Sequence, residues 1–277
     1  MRLTHLLIAG SGLALGSAGA AFANKPVDGN IGFQEPATPV MEQLVAFHNG
    51  PIMIIITAIC VLVLALMAYI LFRFSEKRNP EPSKTTHNTL LEVVWTAVPV
   101  IILLYMLFPS LKLLYFQDVI PESEMTIKVT GNTWNWEYAY PDFENIDSFV
   151  SNALEKEDAE AAGKPYLLAA DVPLVVPVGT TVKVLVTSSN NLHAFAVPAF
   201  GVKIDAVPGR INETWFKVTR EGTFYGQCSE LCGVNHYKMP IEVEVVSKEK
   251  FKAWVAGDGA FPTTLAEVSG GVATAQK

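Results

Sequence analysis

Cysteine is scarce in this chain. Three cysteines occur among 277 residues, which excludes the multi-disulfide framework that small secreted domains use in place of a large core. Cys60 lies inside a long uncharged stretch and is interpreted as an inert apolar residue. The remaining two, Cys228 and Cys232, are four positions apart and belong to a denser cluster of polarisable side chains.

Basic residues are in the minority in the second part of the chain. From Gln117 onward there are 21 acidic and 13 basic side chains. Such an acidic region repels the phosphates of nucleic acid, so nucleic-acid binding is excluded as a function. It suits instead a protein partner that presents a basic face.

Charge is entirely absent from two stretches, Pro51–Phe72 and Val93–Leu111. At about 1.5 Å per residue they reach roughly 33 and 29 Å, close to the hydrocarbon thickness of a bilayer. A core helix of a soluble protein rarely runs so long without one charge. We therefore predict transmembrane helices at 51–74 and 91–116, in contact with membrane lipid.

The distribution of basic residues predicts the orientation of these helices. The loop 75–90 contains three basic residues, whereas 24–50 contains only Lys25. The positive-inside rule places the loop in the cytoplasm and both termini outside. The protein then crosses the membrane twice, with its main domain on the outer, periplasmic side.

Residues 1–23 have the pattern of a secretory signal peptide. Arg2 provides the positive end, a short apolar core follows, and Ala21-Phe22-Ala23 forms a small-x-small cleavage site. The apolar core is too short to cross a bilayer. The mature chain is predicted to begin with a periplasmic segment, 24–50.

Short stretches of alternating apolar and polar residues, separated by turn signals, dominate 117–256. This pattern predicts an antiparallel β-sandwich or barrel. The segment 144–163, rich in Ala and Glu, is interpreted as a surface helix or solvated loop inserted between strands. The tail 257–277 is rich in small residues and is predicted to be disordered.

The segment 226–240 combines two thiols, one imidazole and one thioether in the spacing C-x3-C-x3-H-x2-M. Its side chains are Cys228, Cys232, His236 and Met239, and a second imidazole, His193, lies upstream. Thiolate and thioether favour copper, which also accepts imidazole. Two thiolates could bridge two coppers, each completed by one histidine.

A disulfide and a zinc site are also compatible with this cluster on chemistry alone. A disulfide between the two cysteines is possible in a periplasmic domain, but it leaves the adjacent His236 and Met239 without a role. A zinc site of two cysteines and two histidines is equally open, and it leaves Met239 idle.

Longer motifs resemble subunit II of the bacterial aa3-type cytochrome c oxidases, over nearly the whole predicted mature chain. They are C-S-E-L-C-G-V-N-H-Y-K-M-P at 228–240, L-H-A-F-A-V-P at 192–198, I-D-A-V-P-G-R at 204–210 and L-E-V-V-W-T-A-V-P at 91–99. The resemblance implies a two-helix transmembrane hairpin followed by an all-β, cupredoxin-like Greek-key barrel that holds a dinuclear copper centre, CuA.

The resemblance also implies the ligands of that centre. They are His193, Cys228, Cys232, His236, Met239 and the backbone carbonyl of Glu230. In this family the carboxylate of the same glutamate binds a magnesium or manganese ion shared with subunit I, which gives Glu230 a second expected role.

Two further residues acquire expected roles from the resemblance. The segment 131–138 resembles the aromatic segment of the family, in which Trp134 is the position that receives electrons from cytochrome c. Asn135 departs from it, since the family usually has tyrosine there, and Trp136 fits strand packing. Glu92 matches a glutamate at the mouth of the K proton pathway, although an acid at a membrane boundary can also be without a role.

The implied function is to accept electrons from cytochrome c and pass them to the haem of subunit I, within a complex that also includes subunit III. That complex reduces oxygen to water and pumps protons. Quinol-oxidase relatives lack the copper ligands, which are all present here. A membrane-tethered copper chaperone or sensor is the alternative.

Overall fold

A computed structural model describes residues 24–260 of the chain. The predicted signal peptide, 1–23, lies outside the described residues, as does most of the tail predicted at 257–277.

The first membrane helix starts well before the uncharged stretch that predicted it. Helix α1 (Pro39–Phe47) begins after Thr38, whose hydroxyl accepts the Met41 N–H. It continues through a π-helical turn, His48–Ile52, into α2 (Met53–Arg73). Pro51 within that turn has no N–H to donate, so the regular hydrogen-bond ladder is interrupted and locally widened there.

The second long helix, α3 (Thr89–Asp118), is capped by the side chain of Asn88, which accepts the Leu91 N–H. Neither α2 nor α3 has a single buried residue. Both are long and apolar enough to cross a membrane. Their exposed apolar surface therefore requires lipid or another membrane protein to cover it.

The remaining chain forms a predominantly β domain with two short helices. Its helices are α4 (Lys156–Ala161) and α5 (Lys248–Ala256). Its strands are β1 (Met125–Asn132), β2 (Asn135–Ala139), β3 (Phe149–Ser151), β4 (Leu174–Pro177), β5 (Thr181–Ser188), β6 (His193–Val197), β7 (Val202–Ala206), β8 (Asn212–Lys217), β9 (Gly222–Gln227) and β10 (Pro240–Val246).

The strands form three sheets with orders β3-β2-β1-β5-β8, β4-β10-β9 and β6-β7. The predicted architecture, two membrane helices followed by an all-β cupredoxin-like domain, is confirmed. Within residues 24–260 the sheets stay open as a sandwich and do not close into one barrel. The pairing is mixed, because β1–β5 and β4–β10 run parallel. Such pairs need the long crossover connections of a Greek key, and so the antiparallel prediction was too simple.

Alternating strands line the core as their sequences predicted. In β1 the side chains of Met125, Ile127 and Val129 are buried while their neighbours face outward. In β5 the buried positions are Val182, Val184 and Val186. Burial of a Val, Ile or Met side chain contributes about 1.5–3 kcal/mol relative to exposure, so these strands supply much of the sandwich core.

Strand β10 has an alternating sequence, but the burial of its residues does not alternate, because both of its faces are covered. Glu242 occupies an outward position, yet it is only 2% exposed. Its carboxylate accepts the Lys164 ammonium and the Ala170 N–H, both at 2.8 Å. These partners lie between α4 and β4, just after the inserted segment 144–163, so this stretch of chain covers the outer face of β10.

The β domain is attached to one end of each membrane helix. Ala37, just before α1, donates its N–H to the Ala199 carbonyl at 2.9 Å. At the end of α3, the Gln117 carbonyl accepts the Trp215 indole N–H at 3.1 Å, and the Gln117 amide donates to the Gly201 carbonyl. The domain is therefore held at the ends of both helices rather than joined to them by a free linker.

Glu242→Ala tests whether the stretch of chain between α4 and β4 is held to β10 by the buried carboxylate. Removal leaves the Ala170 N–H and the partly buried Lys164 without their acceptor, so the free energy of unfolding should fall by about 3 kcal/mol. Glu213→Ala is the control, since its pair with Lys183 is half exposed and should cost less than about 1 kcal/mol. Equal losses in chemical denaturation would contradict the assignment.

Candidate metal centre

The loop between β9 and β10 carries four of the predicted ligand side chains and the predicted carbonyl ligand of Glu230. The antiparallel pairing of Gln227 with Pro240 brings the two ends of the loop together. The Cys228 N–H then donates to the Met239 carbonyl at 3.0 Å. The first and last ligand of the motif are therefore neighbours in space, although they are eleven positions apart in sequence.

Strand β6 brings the fifth side chain, His193, against this loop. An added Cβ at Gly226 would lie 2.0 Å from the Ala196 carbonyl oxygen, so only glycine permits this close approach of β9 to β6. Beyond it, the Ser229 N–H donates to the Ala194 carbonyl at 3.0 Å. These contacts fix the cysteine loop over the start of β6.

Three ligand atoms converge in the interior. The two sulfurs of Cys228 and Cys232 are 3.9 Å apart, and the Cys228 sulfur lies 3.8 Å from His193 Nδ1. The ligand atoms of these three buried residues all lie within 4.8 Å of one another. They form the one such three-residue cluster found among residues 24–260.

The other three predicted ligand groups lie around this cluster. His236 places Nδ1 at 3.5 Å from the Cys232 sulfur. The carbonyl oxygen of Glu230 lies 3.3 Å from the Cys228 sulfur. Met239 is 1% exposed within the same core cluster. Each sulfur thus has one imidazole beside it, an arrangement with approximate two-fold character.

Burial favours the uncharged forms of Cys232 and His193. It raises the pKa of Cys232 to about 12, with a further contribution from Cys228. It also lowers the pKa of His193, with the nearby His236 acting in the same direction. A neutral imidazole presents a lone pair, whereas a metal ion must displace the thiol protons on binding.

The donor set fits copper better than a disulfide or a zinc site. The two cysteines are free thiols at 3.9 Å, far beyond the disulfide bond length of about 2.05 Å. Two thiols, two imidazoles, a thioether and a carbonyl exceed the four ligands of a closed structural zinc site. The combination of soft sulfur and imidazole is typical of copper sites.

Trp134 is linked directly to this cluster. Its indole N–H donates to the backbone carbonyl of Cys232 at 3.0 Å, and its ring is half-buried. Trp136 is completely buried instead and contacts His193 and Phe195 edge to face. It therefore serves packing, as its strand position indicated.

Two asparagines beside the site were not singled out as site residues by the sequence. Asn191 donates its amide to the same Cys232 carbonyl at 3.1 Å. Asn190 Oδ1 lies 3.5 Å from His193 Nε2, the nitrogen that faces away from the sulfurs. A hydrogen bond there would orient the ring so that Nδ1 faces the sulfurs. Asn191 and Asn190 lie two and three residues before His193, and this proximity in sequence was the signal that could have identified them as neighbours of the site.

The carboxylates of Glu230 and Glu92 lie outside the cluster of ligand atoms. The Glu230 side chain is exposed on the loop surface, so its carboxylate is accessible to another molecule. Glu92 lies at the far end of α3, whose 30 residues extend about 45 Å. There its carboxylate accepts the Asn88 N–H at 3.3 Å, which gives it a helix-capping contact.

The fold and the site together define a membrane-anchored, cupredoxin-like protein with a candidate copper centre. Two family models match the chain: "Cytochrome C oxidase subunit II, transmembrane domain" over residues 26–113 and "Cytochrome C oxidase subunit II, periplasmic domain" over residues 125–246. The chain belongs to the cytochrome c oxidase subunit II family. It is therefore a subunit of a cytochrome c oxidase, which is an oxidoreductase.

Individual relatives agree with this assignment. The chain is 48% identical to "Probable cytochrome c oxidase subunit 2" of Rickettsia prowazekii, covering 85% of this chain and 74% of that protein. It is 44% identical to "Cytochrome c oxidase subunit 2" of Cereibacter sphaeroides, covering 91% and 90%. The crystal structure of the periplasmic domain of subunit II of cytochrome oxidase from Bradyrhizobium japonicum shares 49% identity, covers 50% of this chain and 96% of that one, and gives a TM-score of 0.46.

Cys228→Ser and Cys232→Ser should each abolish stable copper binding by the full-length chain, because a serine hydroxyl does not replace a bridging thiolate. Copper content after dialysis is the measurement. Cys60→Ser is the matched control, since Cys60 is exposed on α2, remote from the site, and copper content should stay at the wild-type level. Retention of two coppers by either of the first two variants would exclude the thiolates as bridging ligands.

Proposed function

We propose that this chain holds a dinuclear CuA centre, accepts electrons from cytochrome c at Trp134 and passes them to the haem of subunit I. The observation that supports the proposal most is the paired arrangement of the ligands. The two sulfurs are 3.9 Å apart, with one imidazole Nδ1 beside each, at 3.8 Å and 3.5 Å. The six ligand groups exceed the four that a single tetrahedral ion binds, so the set favours two ions.

Cys228, Cys232, His193 and His236 would hold the copper ions through their sulfur and nitrogen atoms. Met239 and the Glu230 carbonyl would be weaker ligands. The bound centre would supply one-electron transfer. The protein contributes rigidity, since three of these side chains lie in a buried core and the loop is closed by backbone hydrogen bonds.

Trp134 offers a short covalent and hydrogen-bonded route from the surface to the site. From its indole nitrogen the route crosses one 3.0 Å hydrogen bond to the Cys232 carbonyl. It then follows backbone and side-chain bonds to the sulfur. The acidic excess from Gln117 onward is suited to a basic cytochrome c, whose association such charges accelerate.

Two finer parts of the proposal concern the rest of the complex. The exposed carboxylate of Glu230 would bind a magnesium or manganese ion together with subunit I. The uncovered apolar faces of α2 and α3 would contact lipid and the other membrane subunits, subunit I and subunit III. The copper domain and both termini would then lie on the periplasmic side of the bacterial inner membrane, as the basic loop 75–90 predicts.

The alternative, a tethered copper chaperone, requires an open site from which the metal exchanges readily. Full burial of His193 and near-complete burial of Cys232 favour retention. The deciding experiment loads the full-length chain in detergent with copper and records its electron paramagnetic resonance spectrum. Hyperfine splitting from two equivalent copper nuclei is expected. A pattern from one nucleus would overturn the dinuclear proposal.

Trp134→Phe should slow electron transfer from cytochrome c by orders of magnitude, with copper content unchanged. The substitution keeps an aromatic ring but removes the N–H that bonds to Cys232. Stopped-flow reduction of the assembled oxidase is the measurement. Trp215→Phe is the matched control, because it also loses one indole hydrogen bond, to Gln117, at a remote position. Wild-type rates for Trp134→Phe would move the electron-accepting position elsewhere.

Glu92 requires two substitutions, because its helix cap and its proposed proton role predict different results. Glu92→Gln keeps an acceptor for the Asn88 N–H but has no exchangeable carboxyl proton. If Glu92 supplies protons to the K pathway, both Glu92→Gln and Glu92→Ala should slow the reductive half of the oxygen cycle. Full turnover in Glu92→Gln, with a defect in Glu92→Ala alone, would assign the residue to capping.

A further inference from the structure

Strand β1 contains an interruption in its core-facing positions. Met125, Ile127 and Val129 point into the sandwich in regular alternation, and Gly131 is the next residue in that series. The register calls for another large apolar side chain, and glycine leaves a gap. Glycine also weakens a strand interior and often marks a close approach of another group.

The imidazole of His193 fills this gap. An added Cβ at Gly131 would lie 2.9 Å from Cδ2, 3.0 Å from Cγ and 3.1 Å from Cβ of His193. Real Cβ atoms essentially never approach another atom to 2.9 Å, and at 3.0 and 3.1 Å the neighbouring atom must give by a few tenths of an ångström. The bare backbone of Gly131 therefore forms one wall of the pocket in which the ring lies.

The other sides of the ring are also occupied, so any shift of the ring disturbs the contacts made there. The edge of Trp136, which pairs with Gly131 across β1 and β2, lies against it with ring centres 6.0 Å apart. Asn190 Oδ1 is 3.5 Å from Nε2, and the Cys228 sulfur is 3.8 Å from Nδ1. His193 itself has no exposed surface.

The backbone of Gly131 is held in place independently of the ring. It pairs with Trp136 in β2 and Ser188 in β5. Its carbonyl accepts the Ser188 hydroxyl at 3.0 Å and the Ser189 N–H at 3.1 Å. An interior strand anchored on both sides yields little, so the histidine would have to shift instead.

We infer that Gly131 is a positioning residue for the candidate copper ligand His193, and that the absence of its side chain sets the direction of Nδ1. The part of the inference that concerns copper binding rests on the proposed ligand role of His193. The fit between Gly131 and the imidazole exists in the metal-free chain and is testable there.

The copper-loaded test uses Gly131→Ala in the full-length chain in detergent. A ring displaced by several tenths of an ångström binds copper in a poorer direction, and changes in groups that orient a ligand typically reduce metal affinity about 10- to 100-fold. Copper(II) titration against a competing chelator should show that loss, with an altered resonance spectrum. Gly32→Ala is the control, because its new Cβ meets nothing nearer than 3.7 Å.

The metal-free test is a double-mutant cycle between Gly131→Ala and His193→Ala. Gly131→Ala should lower the melting temperature of the wild-type chain but change it little once the imidazole is absent, because the clash has lost its partner. Equal lowering in both backgrounds would overturn the inference. If Gly131→Ala alone does not fold, Gly131→Ala with His193→Gly should fold, and failure to do so would also overturn it.

The two tests fail independently. Coupling in the metal-free cycle, with copper bound normally by His193→Ala, would support the positioning contact and refute His193 as a ligand. Wild-type affinity and spectrum in Gly131→Ala would refute the positioning role even if copper binding by the site is established.

Discussion

The backbone hydrogen bond from Cys228 to Met239 is the constraint on which the whole site depends. It extends the pairing of β9 and β10 by one step and thereby closes the loop that carries both thiols, His236 and the thioether. Once the loop is closed, its ligand atoms no longer depend on flexible chain for their positions. The sheet then serves as a rigid support, which is what a centre that transfers electrons without rearrangement requires.

A second element must meet this loop for the site to be complete, and glycine makes that meeting possible twice. Gly226 lets β9 approach the backbone of β6 at the Ala196 carbonyl, and Gly131 leaves space for the ring of His193. Both positions lie in strands, where glycine is otherwise unfavourable by about 0.5–1 kcal/mol relative to alanine. This stability is lost locally, whereas the gain is a fifth candidate ligand side chain held in the buried interior.

Much of this arrangement could be predicted from the sequence. The two uncharged stretches and the alternating strands gave the correct class of architecture, and the spacing of Cys228, Cys232 and His236 identified a metal loop. Those features are local, since each is contained in a short window with a fixed period or spacing. His193 was singled out only as a second imidazole upstream of the loop, and no local pattern showed that it lies beside the two thiols.

The parts that could not be predicted all depend on contacts between distant segments. The alternating pattern predicted that Glu242 faces outward, but the stretch of chain between α4 and β4 covers it with Lys164 and Ala170. The first membrane helix extends back to Pro39 because α1 packs on the β domain, and no composition signal marks that contact. The orienting contacts of Asn190 and Asn191 are visible only when the loop lies beside them.

One carbonyl group unites the electron-transfer role with the geometry of the site. The Cys232 carbonyl accepts hydrogen bonds from both Trp134 and Asn191, at 3.0 and 3.1 Å. Its two lone pairs are thereby satisfied, and the peptide plane is held from β1–β2 on one side and from the β5–β6 loop on the other. The same two bonds that orient the backbone of a ligand also place the indole one hydrogen bond away from it. The proposed route for electrons and the support for the cysteine loop are therefore the same structure, and a change that loosens one also loosens the other.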